Sequence, residues 1–217
     1  MNLYPVFLRL DGRRVLLVGG GTVAAAKLDG LLAAGARVTV VAPEISPEVR
    51  RPGVEIHERP FEADDVDGAW WVVAAAPPDV NRQVQTAAHA RQVFVNAVDD
   101  PVHADAYLGG VVRRADVTIA ISTGGRAPAL AGLLREALDV WLPEDLDRWL
   151  AAADQERRNW RRDDVPIEGR RPRLLETLNR LYEEKRPTPN SQNRGTRLGV
   201  GSWWLGVLAW RSAAYLS

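Results

Sequence analysis

A doubly wound α/β fold on a parallel sheet is what this sequence predicts, and three observations predict it. Short β-branched apolar runs alternate with helical stretches through the first hundred residues. The first, second and fourth of those runs are apolar on both faces, as strands covered on both sides are. The first run also ends in Gly19-Gly20-Gly21, which opens directly into a helical pattern. Strand–helix–strand alternation of this kind implies right-handed crossovers and helices on both faces of one sheet.

Taken in order, Arg14–Gly19, Arg37–Ala42, Val54–His57, Trp70–Ala75 and Val93–Asn96 read as strands. Thr22–Ala34 and Asp79–Arg91 have helical composition between them. After Asn96 the pattern changes: Tyr107–Arg113 and Asp116–Ser122 read as two strands reversed at Arg113–Asp116. Ala129, Leu130, Leu133, Leu134, Ala137, Leu138 and Trp141 then mark one face of a helix. Glu144–Trp160 and Pro172–Lys185 complete the pattern as two charge-laced helices. The predicted organisation is a nucleotide-binding domain over 1–112, a small α+β segment over 113–145 and a helical domain over 146–185. Residues 186–217 begin with turn-forming RPTPNSQNRGTR and end on a 13-residue apolar run containing three Gly. They are expected to be a disordered tail.

Composition narrows the class. The chain has 217 residues, 46% hydrophobic and 26% charged, and no Cys. Disulfides, thiolate metal sites and a Cys nucleophile are thereby excluded. The tail carries four Arg and no acid, leaving residues 1–185 with 24 basic against 28 acidic groups. That balance is no nucleic-acid footprint. No 18-residue apolar stretch predicts a membrane span, and MNLYPVFLRLDGRR holds no uninterrupted apolar signal core, so a cytoplasmic enzyme is expected. His and carboxylate spacings predict no stored metal.

The glycine loop predicts a dinucleotide. Val18-Gly19-Gly20-Gly21-Thr22-Val23-Ala24 fits G-x-G-x-x-A between a buried strand and a helix. Gly19 permits the turn, Gly21 lets backbone approach a pyrophosphate, and Ala24 allows close helix–sheet packing. The helix start at Thr22 and Val23 offers free N–H groups to the phosphates. The second strand ends Ala42-Pro43-Glu44, so Glu44 is the candidate for the ribose hydroxyl and Pro43 for packing on adenine. No basic residue stands at 42–44 to clamp a 2′-phosphate, so NAD is expected over NADP.

Several motifs together resemble one family. Tyr4-Pro5-Val6-Phe7-Leu8, Gly12-Arg13, VGGGTVA, Lys27, AGARVTVVAP, Asn96-Ala97-Val98-Asp99-Asp100-Pro101 and Ser122-Thr123-Gly124-Gly125-Arg126-Ala127-Pro128-Ala129-Leu130 occur in that order. This succession is similar to the precorrin-2 dehydrogenase/sirohydrochlorin ferrochelatase family, the N-terminal module of siroheme synthases. The resemblance covers roughly residues 3–160 and implies a Rossmann-like fold. It also implies NAD-dependent oxidation of precorrin-2 to sirohydrochlorin, Fe²⁺ insertion in many members, and a homodimer formed through a central segment. Carried over by position, it implies NAD contacts at Thr22-Val23 and Pro43-Glu44. The catalytic carboxylate falls on Asp99 and the motif hydroxyl on Thr123. The family's bulky residues after D-D-P are replaced here by Ala106-Tyr107-Leu108-Gly109-Gly110, a departure at the expected tetrapyrrole wall.

An octacarboxylate substrate calls for anion-binding groups. The Ser122 and Thr123 hydroxyls, the Gly124 and Gly125 backbone and the following helix dipole form a candidate cradle, with Arg126, Arg114 and Arg113 as added cations. Asp99 follows a strand's C-terminal end, where open α/β sheets bind ligands, and suits a base for proton removal. Asp100, next in an extended chain, is expected to face elsewhere. Asp105 is a weaker carboxylate candidate, and His103 is the one His near this region. Two other readings stay open: a non-catalytic NAD-sensing regulatory module, which gives no reason for D-D-P and S-T-G-G, and a small-acid dehydrogenase, which wants a larger substrate domain.

Overall fold

The computed structural model of the chain describes residues 3–98, 100, 102 and 104–183. The expected tail at 186–217, Asp99 and His103 lie outside the described residues. Five strands make a fully parallel sheet: β1 (Arg14–Val18), β2 (Arg37–Ala42), β3 (Glu55–Glu58), β4 (Trp71–Ala74) and β5 (Val95–Ala97). Their order is β3-β2-β1-β4-β5, so the chain reverses direction of travel across the sheet between β1 and β4. Helices α1 (Thr22–Ala33) and α2 (Pro78–Ala90) fill the crossovers after β1 and β4. Val15 pairs with both Val38 and Trp71, and Val18 with both Val41 and Ala74.

Alternation along β1 divides the core in two. Val15 and Leu17 pack with Ala24, Leu28 and Leu31 of α1, together with Val38, Val40 and Val73. Leu16 and Val18 belong to the opposite layer with Val41, Val72, Val84, Ala88 and Val95. Each central strand therefore carries a nearly unbroken apolar run, with Thr39 of β2 the buried exception, and such runs are readable in sequence.

Between β3 and β4 the chain makes a short 3-10 turn, Ala63–Val66, which the strand and helix patterns leave unassigned. Glu62 and Asp65 form a reciprocal capping box, and the Arg59 guanidinium lies 2.5 and 2.9 Å from the two Asp65 carboxylate oxygens. Burial opposes ionisation of Asp65. The Arg59 hydrogen bonds and the Glu62 N–H outweigh it and hold the carboxyl below its usual range.

Beyond β5 the chain forms an antiparallel hairpin, β6 (Gly110–Arg114) and β7 (Val117–Ile121), then α3 (Pro128–Trp141). Ala115 takes a positive φ at the reversal. Two strand starts differ from expectation. β5 begins at Val95 rather than Val93, because the Val93 N–H is spent on Ala88 O at the end of α2. β6 begins at Gly110 rather than Tyr107, because residues 105 and 106 turn back to bond Val95 O. The chain divides into two compact units at Arg148/Trp149. Helices α4 (Leu146–Arg162) and α5 (Ile167–Glu183) supply the second, where Thr177 Oγ1 donates to Glu156 across 3.0 Å. α5 starts five residues before Pro172 and carries that proline inside, early enough that the lost backbone bond falls near the helix start.

Candidate functional site

The site grows from the C-terminal ends of β1, β4 and β5. Backbone bonding continues past the strands there: Gly19 N–H to Val41 O (3.0 Å), Ala75 N–H to Val18 O (2.8 Å) and Val98 N–H to Ala74 O (2.9 Å). The three glycines after β1 have three different reasons to be glycine. Gly19 has φ +131°, and a Cβ there would collide with the Ala75 carbonyl. A Cβ on Gly20 would collide with the Glu44 carbonyl, and Gly20 O accepts the Ser46 N–H at 2.8 Å. Gly21 meets nothing: its open side is free space. Ala24 is fully buried against the sheet.

Gly21 is also the N-cap of α1. No side chain caps that end, and no acid lies in its first turn. The Thr22 and Val23 end of the helix thus keeps its positive dipole end for an external anion. A cleft of about 480 Å³ opens beside it, lined by Val23, Ala75, Ala76, Pro78, Asn81, Val98 and Asp100. Buried Asn81 fixes one wall by accepting the Ala76 N–H on Oδ1 at 3.1 Å. The cleft sits at the reversal between β1 and β4, where doubly wound sheets take their ligands. Pro43 and Glu44 are exposed at the end of β2, on the far side of the glycine loop. A dinucleotide fits this arrangement: a glycine turn too tight for side chains, an uncapped helix start and an adjoining cleft.

One expectation fails here. Asp100 lines the cleft instead of facing away. The chain turns directly after β5, with Val98 bonded back to β4, so the alternation of an extended strand no longer applies. Asp105 is engaged as well, 3.0 Å from His89 Nε2 and accepting the Val95 N–H.

In the second motif, Ser122 Oγ accepts the Gly124 N–H (3.1 Å) and Thr123 Oγ1 accepts the Ala127 N–H (3.2 Å), so both hydroxyls shape the turn before Pro128. Gly124 and Gly125 take φ +62° and +76°, and Arg126 is exposed beside them. Arg114 has a different duty from the one expected. It reaches Leu142 O, Asp139 O (2.8 Å) and the Asp139 carboxylate (3.1 Å), bracing the end of α3. Its partners lie 25 and 28 residues away, beyond the reach of local pattern. The glycines of the 106–110 stretch are explained by contact: a Cβ on Gly109 would strike Ile121 O, and one on Gly110 would lie 2.9 Å from Ala131 O. Among the described residues, no group of three or more His, Asp or Glu is placed to hold a metal ion.

Comparison with known proteins agrees with this layout. Residues 6–110 match a family model for NAD(P) binding, and residues 114–139 match the model for the central part of sirohaem biosynthesis proteins. Siroheme synthase 3 of Aeromonas hydrophila is 43% identical over 151 residues, which is 67% of this chain and 32% of that protein. The siroheme synthase of Psychromonas ingrahamii is 38% identical over 183 residues, 82% of this chain and 39% of that protein. The chain thus spans about a third of the length of these relatives. The solved structure of SirC, precorrin-2 dehydrogenase, superposes with a TM-score of 0.66 at 26% identity, covering 84% of this chain and 92% of that one.

Proposed function

We propose that this chain, which belongs to the siroheme biosynthesis family, is an NAD-dependent dehydrogenase that oxidises precorrin-2 to sirohydrochlorin. The observation that carries this reading is the conjunction of two features on one sheet edge. A glycine turn at the β1/β4 reversal suits a dinucleotide, and Asp100 of the Asp-Asp-Pro sequence after β5 borders the adjoining cleft.

When bound, the nicotinamide supplies the hydride acceptor. The chain supplies the rest. Gly19, Gly21, Thr22 and Val23 receive the pyrophosphate, while Pro43 and Glu44 meet the adenosine half. The exposed Glu44 carboxylate, with no cation at 42–44, favours NAD over NADP because a 2′-phosphate would meet like charge. Asp99 is assigned as the base that takes the proton leaving the macrocycle; its chain neighbours Val98 and Asp100 both line the cleft. Ser122, Thr123, Gly124, Gly125 and Arg126 are assigned to the substrate carboxylates, with exposed Arg126 as the cation. Fe²⁺ insertion would use the same loop, since it also needs a base: it releases two protons from pyrrole nitrogens, where the oxidation gives one proton and a hydride. Fe²⁺ is then a substrate, which would add lyase chemistry.

The α3 face supports a homodimer. Leu133, Val140 and Trp141 are 64%, 82% and 65% exposed, whereas Ala131 is the helix's one buried residue. A cytoplasmic location fits the substrate class, and no helix among the described residues is long and apolar enough to cross a membrane. Anaerobic incubation with precorrin-2 and NAD⁺ should produce sirohydrochlorin absorbance. Its absence with intact NAD⁺ binding would turn the reading toward a cofactor-sensing module.

A further inference from the structure

The loop that leaves β5 at Ala97 comes back to the same strand within a few residues, and the return is held by side chains. Asp105 N–H and Ala106 N–H both donate to Val95 O, at 2.9 and 3.1 Å. The Asp105 carboxylate accepts the Val95 N–H at 3.0 Å, so the edge of β5 is closed by a side chain where a sixth strand would stand. The same carboxylate meets His89 Nε2 from α2 at 3.0 Å. On the neighbouring residue of β5, buried Asn96 donates its amide to Ala106 O at 2.8 Å. Asp105 and Ala106 are thus pinned back to the strand the chain has just left, and cleft-lining Val98 and Asp100 fall between that strand and the staple in the chain.

We infer that Asp105, with Asn96, is a positioning residue: it fixes the loop that carries Asp100 to the cleft, with Asp99 next to it in the chain, and acts on turnover through that loop. The inference rests on the dehydrogenase reading for its kinetic part and on hydrogen bonding alone for its structural part. Neither residue touches the cleft, so neither is a catalytic residue. Their chemistry is chosen for the clamp. The short Asp105 carboxylate accepts the Val95 N–H, and the Asn96 amide donates sideways from within the strand while staying neutral when buried. A misplacement of about 1 Å in a reacting group costs up to about 100-fold, so loosening one staple is enough to matter.

The test is a double-mutant cycle on the full chain with an amide-exchange arm. Asp105→Ala should lower kcat about 10–100-fold with NAD⁺ affinity within about 2-fold of the parent. In an Asp99→Ala background the same change should cost no more than about 2-fold, because the group it positions is already gone. Asp105→Asn, which keeps an acceptor for Val95, should recover most of the loss. Hydrogen exchange at the amides of Val95, Asp105 and Ala106 should speed up in Asp105→Ala and return toward the parent rate in Asp105→Asn. Should Asp105→Ala fold poorly, His89→Ala, which removes the outer partner only, should show the same pattern at smaller amplitude. Equal losses in both backgrounds would overturn the positioning role, as would full turnover in Asp105→Ala. Unchanged exchange would overturn the clamp itself. A parent chain that binds NAD⁺ but never oxidises precorrin-2 would instead refute the dehydrogenase reading and the kinetic clause with it, while the exchange arm still decides the clamp.

Discussion

The parallel-sheet body and the β6–β7–α3 segment solve burial in opposite ways. In the body, every central strand is covered on both faces, and Val15, Leu16, Leu17, Val40, Val72 and Val73 are fully enclosed. The hairpin is a sheet of two strands covered on one side by α3, and α3 turns Leu130, Leu133, Leu134, Val140 and Trp141 outward. Two strands and a helix bury too little to stand alone. The body is finished within one chain. The segment leaves an apolar face open, of the kind that marks an interface.

On the proposed function the body binds the cofactor and the chemistry lies on its rim, and the strongest way to break that division is Asp99→Ala. It should lower turnover about 10²–10⁴-fold while leaving NAD⁺ affinity nearly intact, measured by sirohydrochlorin formation and by titration calorimetry. Asp100→Ala is no neutral control, since Asp100 borders the cleft; it should give a smaller but measurable loss.

Next come paired core and surface truncations. Leu28→Ala, in the α1 layer, should cost about 2–5 kcal/mol of folding stability by denaturant titration. Leu133→Asp should shift the assembly toward monomer in light scattering, with NAD⁺ affinity unchanged. If Leu133→Asp leaves a dimer, the α3 face is not the interface.

The glycine loop sharpens the picture inside the body. Gly19→Ala should reduce folded yield, since its Cβ has no room beside Ala75 and its φ is unfavourable to L-residues. Gly21→Val should fold normally and weaken NAD⁺ binding, because open space for the chain is working space for the pyrophosphate.

The smallest expected effect lies far from the site. Asp65→Asn should lose about 1–3 kcal/mol at pH 7, because a neutral amide is a weaker partner than a carboxylate for the Arg59 guanidinium. The Asp65 pKa is lowered on folding from a reference of 3.8. Its contribution is therefore fully present above that value and fades as pH falls through the lowered folded value. Denaturation curves of parent and variant should converge in that acid range.

How far the sequence discloses each region follows from the same contrast. β1, β2 and β4 can be read because burial on both faces writes a nearly unbroken apolar run, and the glycine loop because carbonyls beside Gly19 and Gly20 and the open approach at Gly21 each call for glycine. The S-T-G-G turn was visible as a motif, though not that its hydroxyls bond their own loop. Arg114 was misjudged because its carbonyl partners are brought to it by tertiary packing. Asp100 was misjudged because the chain bends where extension was assumed. The staple at Asp105 left no local trace, as its acceptors and donors come from β5 and α2 at separations of 10 and 16 residues.

The Gly109-Gly110 pair, finally, ties two parts of the chain into one unit of inheritance. Restoring side chains at these positions would push on the Ile121 carbonyl and on α3 at Ala131 together. A graft of a bulkier 106–110 stretch would therefore fail unless 121–135 travelled with it. Such swaps should succeed as a block and fail piecemeal, so variation along this stretch is expected to move in concert across the lineage.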